Sequence, residues 1–166
     1  MDNAQHDVLT TAKREMVVSH LIAAPAALMF RAWTEPKQLE QWWAADGFTT
    51  TVHQMDVQED GITHLAMQGP DGLDYPNHFV YSQVKAARLL SYLQSDGSDG
   101  DNDAAEVSVA VSFDEKTDGR TRVTLQTLFK SADERDRVIQ EFDALNGARQ
   151  TLERLSAFMA QSQSGS

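Results

Sequence analysis

Cysteine is missing altogether from this chain of 166 residues, which excludes disulfides, thiol nucleophiles and thiolate metal sites. Cationic residues are scarce: 14 lysines and arginines stand against 25 aspartates and glutamates, for a formal net charge of −11. So acidic a chain repels phosphate, which argues against nucleic acid or an anionic membrane as its main partner. Long apolar runs are missing too. Nothing approaches the ~18 uninterrupted apolar residues of a membrane span, and residues 1–13 are polar with no apolar signal region, so a cytoplasmic location is expected. The chain also has no HxH or HExxH spacing, no Walker loop, no Rossmann glycine fingerprint and no G-x-S-x-G elbow. Metal, nucleotide and serine-hydrolase chemistry therefore have no motif behind them, and no cofactor or metal is expected.

The dominant positive feature is the stretch 131–161. Val138, Phe142, Leu145, Ala148, Leu152, Leu155 and Met159 recur at spacings of three and four, which places them on one face of a single long helix. Ser131-Ala132-Asp133-Glu134 is a capping box at its start. Gly147, inside the helix, marks a kink or a close approach. Upstream, residues 14–23 read as a first strand. Two short helices follow, 25–34 and 36–43, each opened by a proline. From Gly47 the pattern changes to period two and turn residues. Strands are expected at 48–57, 62–68, 74–85, 89–94, 106–113 and 120–129, with Pro76 demoting the first residues of its strand to an edge.

The order β-α-α-β(×6)-α with short links implies an α+β domain: one curved antiparallel sheet of about seven strands wrapped around the C-terminal helix. The expected layout is a loose tail at 1–13, a single domain at 14–161 and a short tail at 162–166. A curved sheet touches a straight helix mainly near its ends, so a cavity and a ligand site between them follow. The polar segment 96–103 is a solvated loop. Asp99, Asp101 and Asp103 alternate as an EF-hand loop does, but Ala104 and Ala110 stand where its glycine and glutamate belong.

Ala32-Trp33-Thr34-Glu35-Pro36, Leu39, Trp42-Trp43 and Gly47-Phe48, followed by Asp60-Gly61, Met67, Gly69-Pro70-Asp71-Gly72, Arg88-Leu89, residues 131–137 and residues 150–155, form a recognisable set. Over residues 14–160 the chain resembles the START-like (SRPBCC) superfamily, in the bacterial branch related to the activator of the heat-shock-protein-90 ATPase. The resemblance implies the helix-grip fold. The superfamily includes lipid carriers, plant hormone and allergen proteins, aromatase/cyclases and a co-chaperone domain. Two departures stand out: Ala148 where many relatives carry an aromatic, and a longer acidic insertion.

Three functions are compatible with this sequence. One is a carrier, sensor or stress-response protein for a small hydrophobic, planar ligand held between sheet and helix. Its candidate ligand-binding residues are Trp42, Trp43, Phe48, His64, Met67, His78, Tyr81, Tyr92, Phe142, Leu145, Ala148 and Leu152. Adjacent helical residues point about 100° apart, so one of Trp42 and Trp43 is expected to pack inward and the other to line the mouth. The second is a cofactor-independent cyclase or lyase in which His64 or His78 with Tyr81 moves a proton, oriented by Asp56 or Asp74. The third is an interaction module with a chaperone partner. A homodimer is compatible with all three.

Overall fold

The computed structural model describes residues 14–44, 46–95 and 107–164. The tail expected at 1–13 and the acidic loop at 96–103 lie outside the described residues. Seven strands form one sheet: β1 (Glu15–Ile22), β2 (Thr49–Met55), β3 (Ile62–Gln68), β4 (Asp74–Lys85), β5 (Leu89–Ser95), β6 (Val107–Glu115) and β7 (Thr121–Leu128). Their spatial order is β1-β7-β6-β5-β4-β3-β2, and every pair is antiparallel. The chain thus meanders from β2 to β7, and β1 returns beside β7. Register shifts fall at His53 in β2 and Ser82 in β4. Such bulges increase local twist and help the sheet curl.

Period two resolves the two faces. Thr63 and Leu65, Asn77, Phe79 and Tyr81, Leu90 and Tyr92, and Val109, Val111 and Phe113 are buried on the concave side. Their neighbours along the strands form the convex side, open to water. Pro76 opposes Ala66 of β3, while β5 joins β4 only from His78. The proline therefore lies where its strand has a partner on one side, as its missing N–H requires.

Two short helices, α1 (Ala26–Thr34) and α2 (Pro36–Trp42), close one end of the sheet. Pro36 occupies the first turn of α2, where an amide hydrogen would have no intrahelical partner anyway. Trp42 is fully buried, and its Nε1–H donates to the Ala32 carbonyl at 3.1 Å, tying the two helices together.

The C-terminal segment is not one rod. It forms α3 (Ala132–Phe142) and α4 (Ala144–Ser164), separated at Asp143, whose φ of 52° and ψ of 44° are left-handed. Aspartate adopts this conformation more readily than most side chains because its short polar group bonds locally; here Asn146 donates to the Asp143 carboxylate at 3.3 Å. The helix runs through Gly147, whose N–H reaches the Asp143 carbonyl and whose own carbonyl accepts from the Thr151 hydroxyl. The expected kink is thus four residues earlier, and α4 ends three residues later than the expected boundary at 161. Half of the capping box forms: Glu134 N–H donates to Ser131 Oγ at 3.1 Å, while the Glu134 carboxylate pairs with Arg137. Leu152, Leu155 and Met159 are buried beneath α4, each leucine contributing about 2 kcal/mol of apolar burial.

Candidate functional site

Between α1, α2 and the concave wall of the sheet lies an aromatic cluster. Trp33 meets Trp42 at 4.7 Å and Trp43 at 5.5 Å, edge to face; Trp43 continues the chain of contacts to Phe79 at 5.6 Å. Phe79 stacks on Tyr92 at 4.3 Å, and Tyr92 meets Tyr81 at 5.9 Å. These separations suit the ring quadrupoles. Both Trp42 and Trp43 are buried, against the expectation that one of them opens to solvent. The reason is local. Trp43 has already left the helix, with extended backbone (φ −64°, ψ 125°), so helical angular spacing does not bind it.

The polar atoms of this cluster divide into two sets. Tyr81 and Thr63 share a buried hydroxyl pair at 2.7 Å. Burial pushes the Tyr81 phenol up to about 12, with the Thr63 bond opposing the shift and the Asp56 charge adding to it. By contrast, the indole N–H groups of Trp33 and Trp43 and the Tyr92 hydroxyl are buried with no hydrogen-bond partner among the described residues. Burial, and then the neighbouring Tyr81, raise the Tyr92 phenol well above its ordinary value, so it stays a neutral hydroxyl. Leaving a buried donor unmatched costs about 1–3 kcal/mol, and three such donors in one cluster call for a partner.

Next to these rings the concave wall carries a polar pair. Gln94 Nε2 donates to Asn77 Oδ1 at 2.6 Å, and Asn77 Nδ2 to the Tyr75 carbonyl at 3.3 Å. Sequence reasoning missed Trp33, Asn77 and Gln94 as site residues. The signal was present: Asn77 shares strand parity with Phe79 and Tyr81, and Gln94 with Tyr92.

Opposite the wall, the backbone of α4 packs chiefly against β1 and α2. Half-buried Val52, Met67 and Val107 from the sheet and Leu145 and Ala148 from α4 pack against the core from the two sides. The segment joining α2 to β2 is held to the helix. Arg154 donates to the carbonyls of Ala44 (2.8 Å) and Phe48 (3.3 Å), and Asp46 N–H donates to Gln150 (3.2 Å). Ala44 is buried at φ 110°, a strained conformation for a residue with a Cβ.

Of the expected ligand residues, Trp43, Tyr81, Tyr92 and Leu152 are buried at this core, and Trp42 packs behind Trp33. Phe48, Met67, Leu145 and Ala148 are half-buried against it. The Phe142 side chain lies outside what is described. Two hollows flank α4 among the described residues. One of about 260 Å³ is lined by Val17, Val18, Ser19, His20, Arg149, Leu152 and Glu153; the other, of about 180 Å³, by Gln41, Arg154, Ala157, Phe158 and Gln161. Leu152 is the one expected residue that lines either of these two.

The histidines are a correction. His64 opposes His78 directly across β3 and β4, but both project on the convex side, opposite in parity to Leu65 and Phe79. With His53 they form a row, ring centroids 5.8 and 6.0 Å apart. The sheet separates this row from Tyr81, so His64 or His78 and Tyr81 do not assemble into one catalytic group. Among the described residues no group of three or more His, Cys, Asp or Glu side chains is placed to hold one metal ion, this row included.

Comparison with known proteins agrees with this architecture. The family model described as "Activator of Hsp90 ATPase homolog 1-like protein" matches residues 23–160. The chain belongs to that family. Solved structures similar to this Hsp90-activator-homologue-like protein include one from Nitrosomonas europaea, with 19% identity, a TM-score of 0.81, and coverage of 92% of this chain and 98% of that one. Another from Arthrobacter aurescens has 21% identity, a TM-score of 0.81, and coverage of 91% and 88%. A third, an AHSA1 protein from Silicibacter pomeroyi, has 18% identity, a TM-score of 0.71, and coverage of 89% and 99%. At these identities the likeness shows the fold. Among curated proteins no sequence matches. Among the described residues no helix is long and apolar enough to cross a membrane.

Proposed function

We propose that this member of the family holds a small, hydrophobic, planar molecule between the concave wall of the sheet and α4, as a carrier or sensor rather than as a catalyst. The observation that carries the reading is the set of buried donors on Trp33, Trp43 and Tyr92 that lack a partner among the described residues. All three sit on rings that touch in series, and a flat molecule bearing a carbonyl or ether oxygen suits both the rings and the donors. Asn77 and Gln94, on the same wall, supply amide groups for orientation. Affinity comes mainly from apolar burial, at about 25 cal/mol per Å² before the costs of association. A cyclase or lyase role has less support, because the histidines invoked for it face away and Tyr81 is a neutral phenol engaged with Thr63.

The test is a thermal-shift panel of aromatic ketones, flavonoid-like phenols and fatty acids. Planar acceptor-bearing compounds should raise the melting temperature, and Ala148→Trp, which puts an indole where α4 packs against the core, should abolish the rise. A flat response across the panel, or a response untouched by Ala148→Trp, would remove this reading.

A further inference from the structure

The two edges of the sheet are treated differently. On β2, α2 lies alongside, and the Val52 N–H donates to the Glu40 carboxylate at 2.8 Å, which blunts that edge against other strands. On β1, the bond from Phe129 N–H to the Arg14 carbonyl (2.8 Å) fixes the phase of the ladder. Met16, Val18, His20 and Ile22 then exchange bonds with β7, and the N–H and C=O groups of Glu15, Val17, Ser19 and Leu21 point to the free edge. Arg135 covers the first of these, donating to the Glu15 carbonyl at 2.8 Å. Among the described residues, Val17 and Ser19 have no such cover. They border the 260 Å³ hollow, whose far side is α4 with Arg149 and Glu153, both exposed and one turn apart. The Val17 side chain is 49% exposed on the convex side.

We propose that this edge docks a second copy of the same chain, its β1 running antiparallel to this one with Val17 opposite Ser19 of the second copy. Three features select a second copy over another extended segment. The outward-facing groups of Val17 and Ser19 are two residues apart, so a two-fold axis opposite Val18 forms two reciprocal pairs, each exchanging both N–H···O bonds. The exposed valine then lies diagonally against its own counterpart on the shared face, within side-chain reach. The same axis sets the two α4 helices antiparallel, so Arg149 faces Glu153 of the second copy and Glu153 faces its Arg149. Opposite charges one turn apart make the surface complementary to itself.

Sedimentation velocity from micromolar to millimolar protein tests the proposal without any ligand. A monomer–dimer equilibrium is expected. Arg149→Glu and Glu153→Arg should each weaken it by about tenfold, by turning two facing attractions into repulsions. The double variant Arg149→Glu/Glu153→Arg should restore it, and an equimolar mixture of the single variants should associate more tightly than either alone. Ser19→Pro, which removes an N–H that bonds nothing among the described residues, should also abolish the dimer; circular dichroism of that variant checks that it folds. A monomer at every concentration overturns the proposal, and so does a dimer indifferent to the charge exchange.

Discussion

The clearest test of the core is a pair of isosteric changes. Tyr81→Phe and Tyr92→Phe each delete one hydroxyl from a phenol that is 1% exposed, so changes in apolar packing nearly cancel. Their hydrogen bonding is opposite. Tyr81 shares a 2.7 Å bond with the fully buried Thr63 hydroxyl, and removing it leaves that hydroxyl without this partner, at a cost of about 1–3 kcal/mol. Tyr92 OH bonds nothing among the described residues, so its removal should relieve a desolvation penalty of about 1–2 kcal/mol. At about 2–4 °C per kcal/mol for a chain of this length, the ligand-free melting temperature should fall in Tyr81→Phe and rise by roughly 2–8 °C in Tyr92→Phe. With a bound acceptor the order changes: Tyr92→Phe should lose about 1 kcal/mol of ligand binding, roughly fivefold in Kd. Scanning calorimetry at neutral pH, with and without ligand, reads both effects. If Tyr92→Phe destabilises the free protein as much as Tyr81→Phe does, the hydroxyl has a partner in solution and the inference from the unpaired donors fails.

Three further outcomes are expected. His64→Ala and His78→Ala should leave ligand shifts unchanged and alter stability by less than about 0.5 kcal/mol; loss of binding in either would contradict the face assignment. Gly61→Ala places a Cβ 2.1 Å from the Asp56 carbonyl oxygen, so a loss of about 3 kcal/mol by urea titration is expected, and a neutral result would mean the turn is looser than described. Alkaline stability follows from Tyr81. Its folded value of about 12 exceeds its ordinary 10, so between those pH values the unfolded state releases a proton that the folded state keeps. The corresponding stability is fully present below pH 10 and is lost as pH rises towards 12, in all about 2–3 kcal/mol. Denaturation midpoints that stay level across that window would refute the buried, neutral assignment.

Most of the architecture was legible because local and tertiary preferences agree. Residues 107–115 and 121–128 alternate strictly, and both prolines at the short helices sit where helices begin. Faces were harder to read. In β3, one parity holds Thr63, Leu65 and Met67 and the other Ile62, His64 and Ala66; each mixes apolar and polar types. The inward side is fixed only by Leu65, Phe79 and Tyr92 meeting across strands, which no single strand encodes. The break at Asp143 was hidden for a related reason: Val138, Phe142 and Leu145 keep a helical spacing straight across it. Trp43 was misread because its exit from α2 is set by packing against Trp33 and Phe79 rather than by propensity.

The left-handed residue at Asp143 also bears on how lengths can vary in this chain. In an unbroken helix each added residue rotates everything after it by about 100°, which would swing Leu152 and Leu155 out of the interior. With the joint in place, an alanine inserted between Val138 and Phe142 turns only the remainder of α3, and the grip of α4 on β1 keeps its phase. Such a variant should melt within a few degrees of the parent, whereas the same insertion after Ala148 should not fold. The left-handed joint thus acts as a phase separator that lets the first helix change length while the second stays in register with the sheet.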